Sequence, residues 1–211
     1  MSSPEHPDTP ATKPTLTDRL RKLTVPIVEP VVNVLDRLGV SPDMITFFGM
    51  LTHILLAWLV ATGRFQWAGV AMILIAPLDA FDGALARKQG RAPGGFGAFW
   101  DSTLDRIAEV ILFAGFVYYF TTISEPWLVL AAYAALTGSL MVSYSRGRAE
   151  GLGFDCKVGI FSRVERYVVL IVGLLLNLPD ILIIILAIGT YFTVLQRIWH
   201  VYKQARDQGR A

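Results

Sequence analysis

The sequence predicts an all-α integral membrane protein, with six transmembrane helices preceded by an N-terminal amphipathic interfacial helix. Three observations predict it. Of the 211 residues, 54% are hydrophobic and only 17% are charged, whereas a soluble domain of this size is about a quarter charged. The mean hydropathy is +0.50. The apolar residues also gather into runs near the ~20 residues that a helix needs to cross ~30 Å of hydrocarbon.

The elements follow in order. Residues 1–15 are polar and Pro-rich and read as a disordered tail, with no apolar core long enough for a cleavable signal peptide. Residues 16–38 mix Arg19, Arg21, Lys22 and Arg37 with Leu20, Leu23, Ile27, Val28, Val31 and Val32, a pattern for a helix lying in the interface. Pro26 and Pro30 break or kink it. Residues 39–204 form the six-helix domain, with expected spans Pro42–Ala61, Gln66–Arg87, Phe96–Thr122, Trp127–Tyr144, Val158–Leu178 and Ile181–Tyr202; residues 205–211 are a C-terminal tail. The connectors alternate. Those at Gly63–Phe65, Ser124–Pro126 and Leu178–Asp180 are short, and of 19 Lys and Arg only Arg64 lies on their side. The positive-inside rule therefore places both termini in the cytoplasm of a multi-pass protein of the cell membrane. Trp67 and Trp127 sit at the opposite interface, where aromatic belts belong. The net charge of +2 says little by itself, and no nucleic-acid partner is expected. The single cysteine, Cys156, rules out an intramolecular disulfide and reads as a free loop thiol.

Against this background four acids stand out: Asp79 and Asp82 at i,i+3, then Asp101 and Asp105 at i,i+4. Each spacing puts two carboxylates on one helix face. Asp79 lies about 14 Å inside the cytoplasmic edge at ~1.5 Å per residue. The next helix returns from the same side, so the four groups meet in the cytoplasmic half of the membrane. An ionised carboxylate in hydrocarbon is costly and is a functional candidate by default. Clustered carboxylates are oxygen ligands for hard divalent cations, Mg²⁺ or Mn²⁺. Gly83 and Ala86 share the first face and Gly97 the second, and small residues let a helix or ligand approach closely. The plainer alternative, ion pairs with Arg87 and Arg106, leaves two acids over and does not explain the glycines.

The pattern Asp79-x₂-Asp82-Gly83-x₂-Ala86-Arg87-x₉-Gly97-x₃-Asp101-x₃-Asp105 resembles the signature of the CDP-alcohol phosphotransferases. The chain has one residue more than that family's usual spacing between Arg87 and Gly97, in the Gly- and Pro-bearing loop Lys88–Phe96, where Gly94 is the nearest match to a small polar position. The segment Pro42-Asp43-Met44-Ile45-Thr46 resembles the family's Pro-Asn-x-x-Thr start of the first spanning helix, with Asp43 in place of the commoner Asn. It also reads as a helix N-terminus with Ser41 as N-cap and Pro42 at N1. The resemblance implies that a hydroxyl of an alcohol acceptor attacks the lipid-bearing phosphorus of a CDP-linked lipid and that CMP leaves. It implies Asp79, Asp82 and Asp101 as ligands of Mg²⁺ or Mn²⁺, two ions per site, and Asp105 as a further ligand or as the base taking the hydroxyl proton. It also implies a CDP-lipid site at Pro42, Asp43, Met44, Ile45, Thr46, Gly83, Ala86, Arg87, Gly94 and Gly97.

For the acceptor, residues 143–151 and 158–166 resemble the branch that makes phosphatidylinositol phosphate. Arg146, Arg166 and Arg197 match by position the basic residues that hold the acceptor phosphate. Three guanidinium groups at one mouth make a phosphate site, although positive-inside topology also places basic residues at helix ends. Inositol phosphate is the expected acceptor, with glycerol 3-phosphate and unphosphorylated inositol as alternatives. A homodimer is implied by the resemblance, and the small residues of Ala131–Gly138 offer a packing surface. Two other classes compete: a cation-coupled transporter, which an inverted repeat or broken helices in both halves would favour, and a catalytically silent lipid-binding member, against which all four Asp argue. His53 and His200 read as packed or interfacial histidines, and Glu109, one turn past Asp105, as a core hydrogen-bonding group or a cavity-lining acid.

Overall fold

The computed structural model describes residues 28–92 and 94–210, with the side chain of Asp79 outside that description. The expected tail 1–15 and the first part of the interfacial helix, residues 16–27, also lie outside it. Among the described residues all regular structure is helical. Residues 28–37 are helical (α1), with Pro30 inside the stretch. Then come α2 (Pro42–Ala61), α3 (Phe65–Ile75), α4 (Leu78–Lys88), α5 (Phe96–Thr122), α6 (Pro126–Gly151), α7 (Arg163–Leu175) and α8 (Pro179–Asp207). Among the described residues four stretches are long and apolar enough to cross a membrane: α2, the 24 residues from Phe65 to Lys88, α6 and α8. The chain is an integral membrane protein.

Helices α2, α6 and α8 each start with a proline in the first turn, where a missing N–H costs nothing and φ is preset. Ser41 is the N-cap of α2, as expected, in an extended conformation. Helices α2 and α5 have the expected limits. Elsewhere the expected spans are corrected. The segment Gln66–Arg87 is interrupted at Ala76–Pro77, because Pro77 lacks a backbone N–H and its ring blocks the preceding turn. The chain resumes as α4, with the N–H groups of Ala80 and Phe81 donating to the Pro77 carbonyl. Helix α6 runs on from Tyr144 to Gly151, so Arg146 and Arg148 lie on a helix rather than in a loop. The expected span Val158–Leu178 holds helix only from Arg163 to Leu175. Residues 158–162 are irregular: Gly159 takes φ +126°, a conformation open essentially to glycine. Helix α8 extends beyond Tyr202 to Asp207.

The main core is built from Leu56 and Val60 on α2, Met72 on α3, Phe113, Phe116 and Phe120 on α5, Leu174 on α7, and Leu182, Ile183 and Leu186 on α8. Packing is most extensive between α2 and α5 and between α6 and α8. At Gly115 a Cβ would lie 2.5 Å from the Ala57 carbonyl oxygen, so α5 can approach α2 this closely only with glycine there. The small residues of Ala131–Gly138 serve the chain itself: Ala132 and Ala135 belong to the core and Gly138 lies against Thr190 of α8. A satellite core of Val28, Val32, Ile45 and Leu85 joins α1, α2 and α4.

Candidate functional site

The last two turns of α4, the start of α5, the loop between them and the start of α2 line a cavity of about 590 Å³. Its walls include Pro42, Asp43, Thr46, Asp82, Gly83, Ala86, Arg87, Gly94, Gly97 and Asp101. Most of the residues expected to hold a CDP-lipid thus face one space. Two do not: Met44 is exposed, and Ile45 is buried in the satellite core against Leu85. Asp82 is buried, at 7% exposure, and accepts a hydrogen bond of 2.8 Å from the Thr46 hydroxyl. Gly83 leaves room for Arg87, whose Nη1 would lie 3.3 Å from a Cβ there.

The rim is tied together by polar contacts that local patterns do not announce. Arg91, in the loop with the surplus residue, pairs with Asp43 at 2.7 Å and donates to the Ser41 hydroxyl at 3.0 Å. The Trp100 indole N–H donates to the Asp43 carbonyl. Lys88 and Gln89 bind Asp36 on α1, and these side-chain hydrogen bonds, Gln89 first, hold the Asp36 carboxyl below the usual carboxylate range.

A second, smaller hollow adjoins the first through Thr46, which lines both. Around it stand His53 of α2, Asp105 and Glu109 of α5, and Arg163 and Tyr167 of α7. Arg163 grips Asp105 with both terminal nitrogens, Nη1 to Oδ2 at 2.6 Å and Nη2 to Oδ1 at 2.7 Å. One turn on, Arg166 pairs with Glu109 at 2.7 Å and donates to the Phe161 carbonyl. Acids at i,i+4 on α5 therefore face arginines at i,i+3 on α7. Arg163 is absent from the expected site; the matched spacings of Asp105/Glu109 and Arg163/Arg166 were its only signal. His53 is buried, with Nδ1 3.0 Å from the Gly49 carbonyl and Nε2 3.2 Å from the Tyr167 hydroxyl. A carbonyl only accepts, so Nδ1 carries a proton.

Of the three arginines expected at the acceptor phosphate, Arg146 is exposed and paired with Glu150 at 2.8 Å. Arg166 and Arg197 are buried. Arg197 donates to the carbonyls of Val158 and Val142. Cys156 lies in a loop as expected but is buried, beside Phe154 and Ala149, and burial pushes its thiol up.

Could these acids hold a metal? Among the described residues no three His, Cys, Asp or Glu side chains gather as a ready metal site. Asp79 is on α4 one turn before Asp82, its side chain outside the description. Yet the donors offered by Asp82 and Asp101 are carboxylate oxygens from two helices lining one cavity. That set suits a hard divalent cation and no softer one. The residues present fit such an ion.

Comparison with known proteins agrees with this architecture. A model of the CDP-alcohol phosphatidyltransferase family matches residues 39–195. The chain is 36% identical to the archaetidylinositol phosphate synthase of Methanothermobacter thermautotrophicus, covering 81% of this chain and 88% of the relative. It is also 36% identical to the phosphatidylinositol phosphate synthase of Corynebacterium glutamicum, covering 84% and 85%. The fold is similar to crystal structures of the Mycobacterium tuberculosis phosphatidylinositol phosphate synthase. The structure with CDP-DAG bound has a TM-score of 0.78 at 28% identity and covers 83% of this chain and 94% of that one. The complex with manganese and citrate has a TM-score of 0.76 at 27% identity, covering 82% and 88%. With its acid-bearing helix pair and a family match across most of its length, the chain belongs to the CDP-alcohol phosphatidyltransferase family.

Proposed function

We propose that this protein transfers the phosphatidyl group of a CDP-linked lipid such as CDP-diacylglycerol to a hydroxyl of inositol phosphate, releasing CMP. The observation that carries this reading is the cavity of about 590 Å³ in which Asp82, Asp101, Gly83 and Arg87 converge. The name and bound ligand of the M. tuberculosis relative support the same donor and product.

Asp79, Asp82 and Asp101 would hold the divalent cation, Mg²⁺ or Mn²⁺, as two ions, and Asp105 would serve as the base rather than as a further ligand, since Arg163 occupies both its oxygens. A bound cation would supply positive charge against the diphosphate. Pro42, Asp43, Thr46, Gly83, Ala86, Arg87, Gly94 and Gly97 enclose the nucleotide, and Arg87 supplies a bidentate donor to a phosphate. Ile45 backs this wall and Met44 lies on its outer side. The acceptor hydroxyl oxygen bonds to the lipid-bearing phosphorus, the bond from that phosphorus to the bridging oxygen breaks, and the hydroxyl proton passes to Asp105. Arg146, Arg166 and Arg197 provide the field for the acceptor phosphate.

Both termini and the site face the cytoplasm, by the distribution of Lys and Arg. The six crossings are α2, the α3–α4 stretch, α5, α6, α7 and α8, with α1 lying in the interface. Helix α7 alone is only about 20 Å long at 1.5 Å per residue, and residues 158–162 continue its crossing as irregular backbone whose Ile160 and Phe161 N–H groups donate to side chains of α8. The protein works as a homodimer, by family resemblance.

The test is CMP release by purified protein from CDP-diacylglycerol and inositol phosphate. Activity should vanish in EDTA and return with Mg²⁺ or Mn²⁺. Undiminished CMP release in EDTA would overturn the mechanism.

A further inference from the structure

Arg163 has no role in the transfer step above, yet it makes the closest contact to the acid assigned to the acceptor hydroxyl. It is the first residue of α7, and its fork occupies both oxygens of Asp105, at 2.6 and 2.7 Å, while Arg106 stands farther off, 3.5 Å from Oδ2. The Asp105 side chain is 12% exposed and that of Arg163 is 39% exposed. The arginine is therefore reached from water while the carboxylate sits behind it. A carboxylate held bidentately has its in-plane lone pairs committed and is a poor acceptor for a further proton. A phosphate dianion competes for the same guanidinium, because its oxygens match the same fork.

The start of α7 is pinned. The Phe161 N–H donates to the Thr193 hydroxyl and the Ile160 N–H to the Gln196 side chain, both on α8. An exchange of partners by Arg163 is thus a side-chain movement on a fixed backbone.

We propose that Arg163 is an acceptor sensor: the phosphate of the incoming acceptor draws its guanidinium off Asp105, and only then is Asp105 open to the acceptor hydroxyl. This rests on the transfer reaction proposed above. Its consequence is protection of the donor. Without acceptor, water is the competing nucleophile: its oxygen bonds to the lipid-bearing phosphorus, the bond to the CMP oxygen breaks, and phosphatidic acid and CMP result. The water proton then needs the same carboxylate, which the fork withholds. Arg163 is a positioning residue in this scheme, acting through Asp105.

Two measurements test it. The first is CMP release from CDP-diacylglycerol with Mg²⁺ and no acceptor. The native protein should release little. Arg163→Gln should raise this release by about tenfold or more, the weight of one charge-assisted hydrogen bond, and Arg163→Lys, which keeps the charge but loses the fork, should fall between. The second is calorimetric binding of inositol phosphate to protein free of donor and metal. Asp105→Asn loosens the fork and should tighten binding by about tenfold, whereas in an Arg163→Gln background the same change should do nothing. Equal tightening in both backgrounds would overturn the proposal, as would acceptor-independent release that neither Arg163 variant changes. If the native protein transfers from CDP-diacylglycerol to no acceptor, the reaction assignment fails, and the binding cycle still decides the exchange of partners.

Discussion

The Glu109–Arg166 pair gives the most quantitative prediction. The Arg166 side chain is 4% exposed and that of Glu109 is 16% exposed, at an N···O distance of 2.7 Å, in the interior where α5 faces α7. Replacing Glu109 with Leu leaves a guanidinium with one backbone acceptor, the Phe161 carbonyl at 3.2 Å, and no countercharge from Glu109. Removing one partner of a buried pair costs about 3–5 kcal/mol. For a chain of this length each kcal/mol moves the midpoint by roughly 2–4 °C, so the variant should melt roughly 6–20 °C lower in detergent. The double variant Glu109→Leu/Arg166→Met replaces the whole pair with apolar volume and should recover at least half of that loss, because buried pairs are often exchangeable for packed hydrophobes. Thermal unfolding followed by far-UV circular dichroism reads both. A Glu109→Leu midpoint within 2 °C of native would refute the reasoning, as would a double variant that loses as much as the two singles added together.

Three further outcomes are expected. Gly115→Val should lower the melting midpoint and the activity together, since its Cβ would meet the Ala57 backbone at 2.5–3.1 Å with no flexible group to yield; overpacking costs about 1–3 kcal/mol, and an unchanged midpoint would contradict the close crossing of α2 and α5. Asp105→Asn should cut turnover by roughly 10²–10⁴-fold at saturating Mg²⁺, and turnover close to native would remove Asp105 from the role of proton acceptor. Burial raises the folded pKa of Cys156, so the unfolded chain loses its thiol proton first. The Cys156 contribution to stability is therefore full below the ordinary thiol value of about 8.5 and declines as pH rises through the folded value. Cys156→Ala should flatten this alkaline decline, and a decline of the same size in the variant would assign it elsewhere.

Much of this was readable from the chain, for reasons that differ by element. Helices α2 and α5 fall at their expected limits because Pro42 after Ser41 and the apolar run into Thr122 are local signals. The acids Asp82 and Asp101 reach one cavity because helix periodicity and a short loop between antiparallel helices leave few other arrangements. The break at Ala76–Pro77 was also local, a proline inside an apolar run, but hydrophobicity masked it. The late start of α7 had its marker in Ser162-x-x-Glu165, a helix-start pattern; the Ser162 hydroxyl bonds the Glu165 carboxylate. What could not be read is tertiary pairing. The α5–α7 ladder of Asp105 with Arg163 and Glu109 with Arg166, and the tie from Arg91 to Asp43 across the cavity rim, join residues more than 45 positions apart. Gly138 carries no mark of which element it packs on, and here it is Thr190 of α8.

The central claim is the identity of the acceptor, and one measurement tests it most directly. Purified protein is given CDP-diacylglycerol, Mg²⁺ and equal concentrations of inositol phosphate, inositol and glycerol 3-phosphate, and the lipid products are identified by mass spectrometry. The account predicts phosphatidylinositol phosphate as the dominant product, with CMP released in equal amount. Phosphatidylinositol in equal yield would reduce Arg146, Arg166 and Arg197 to topological charge. Phosphatidylglycerol phosphate as the main product would keep the reaction and contradict the acceptor.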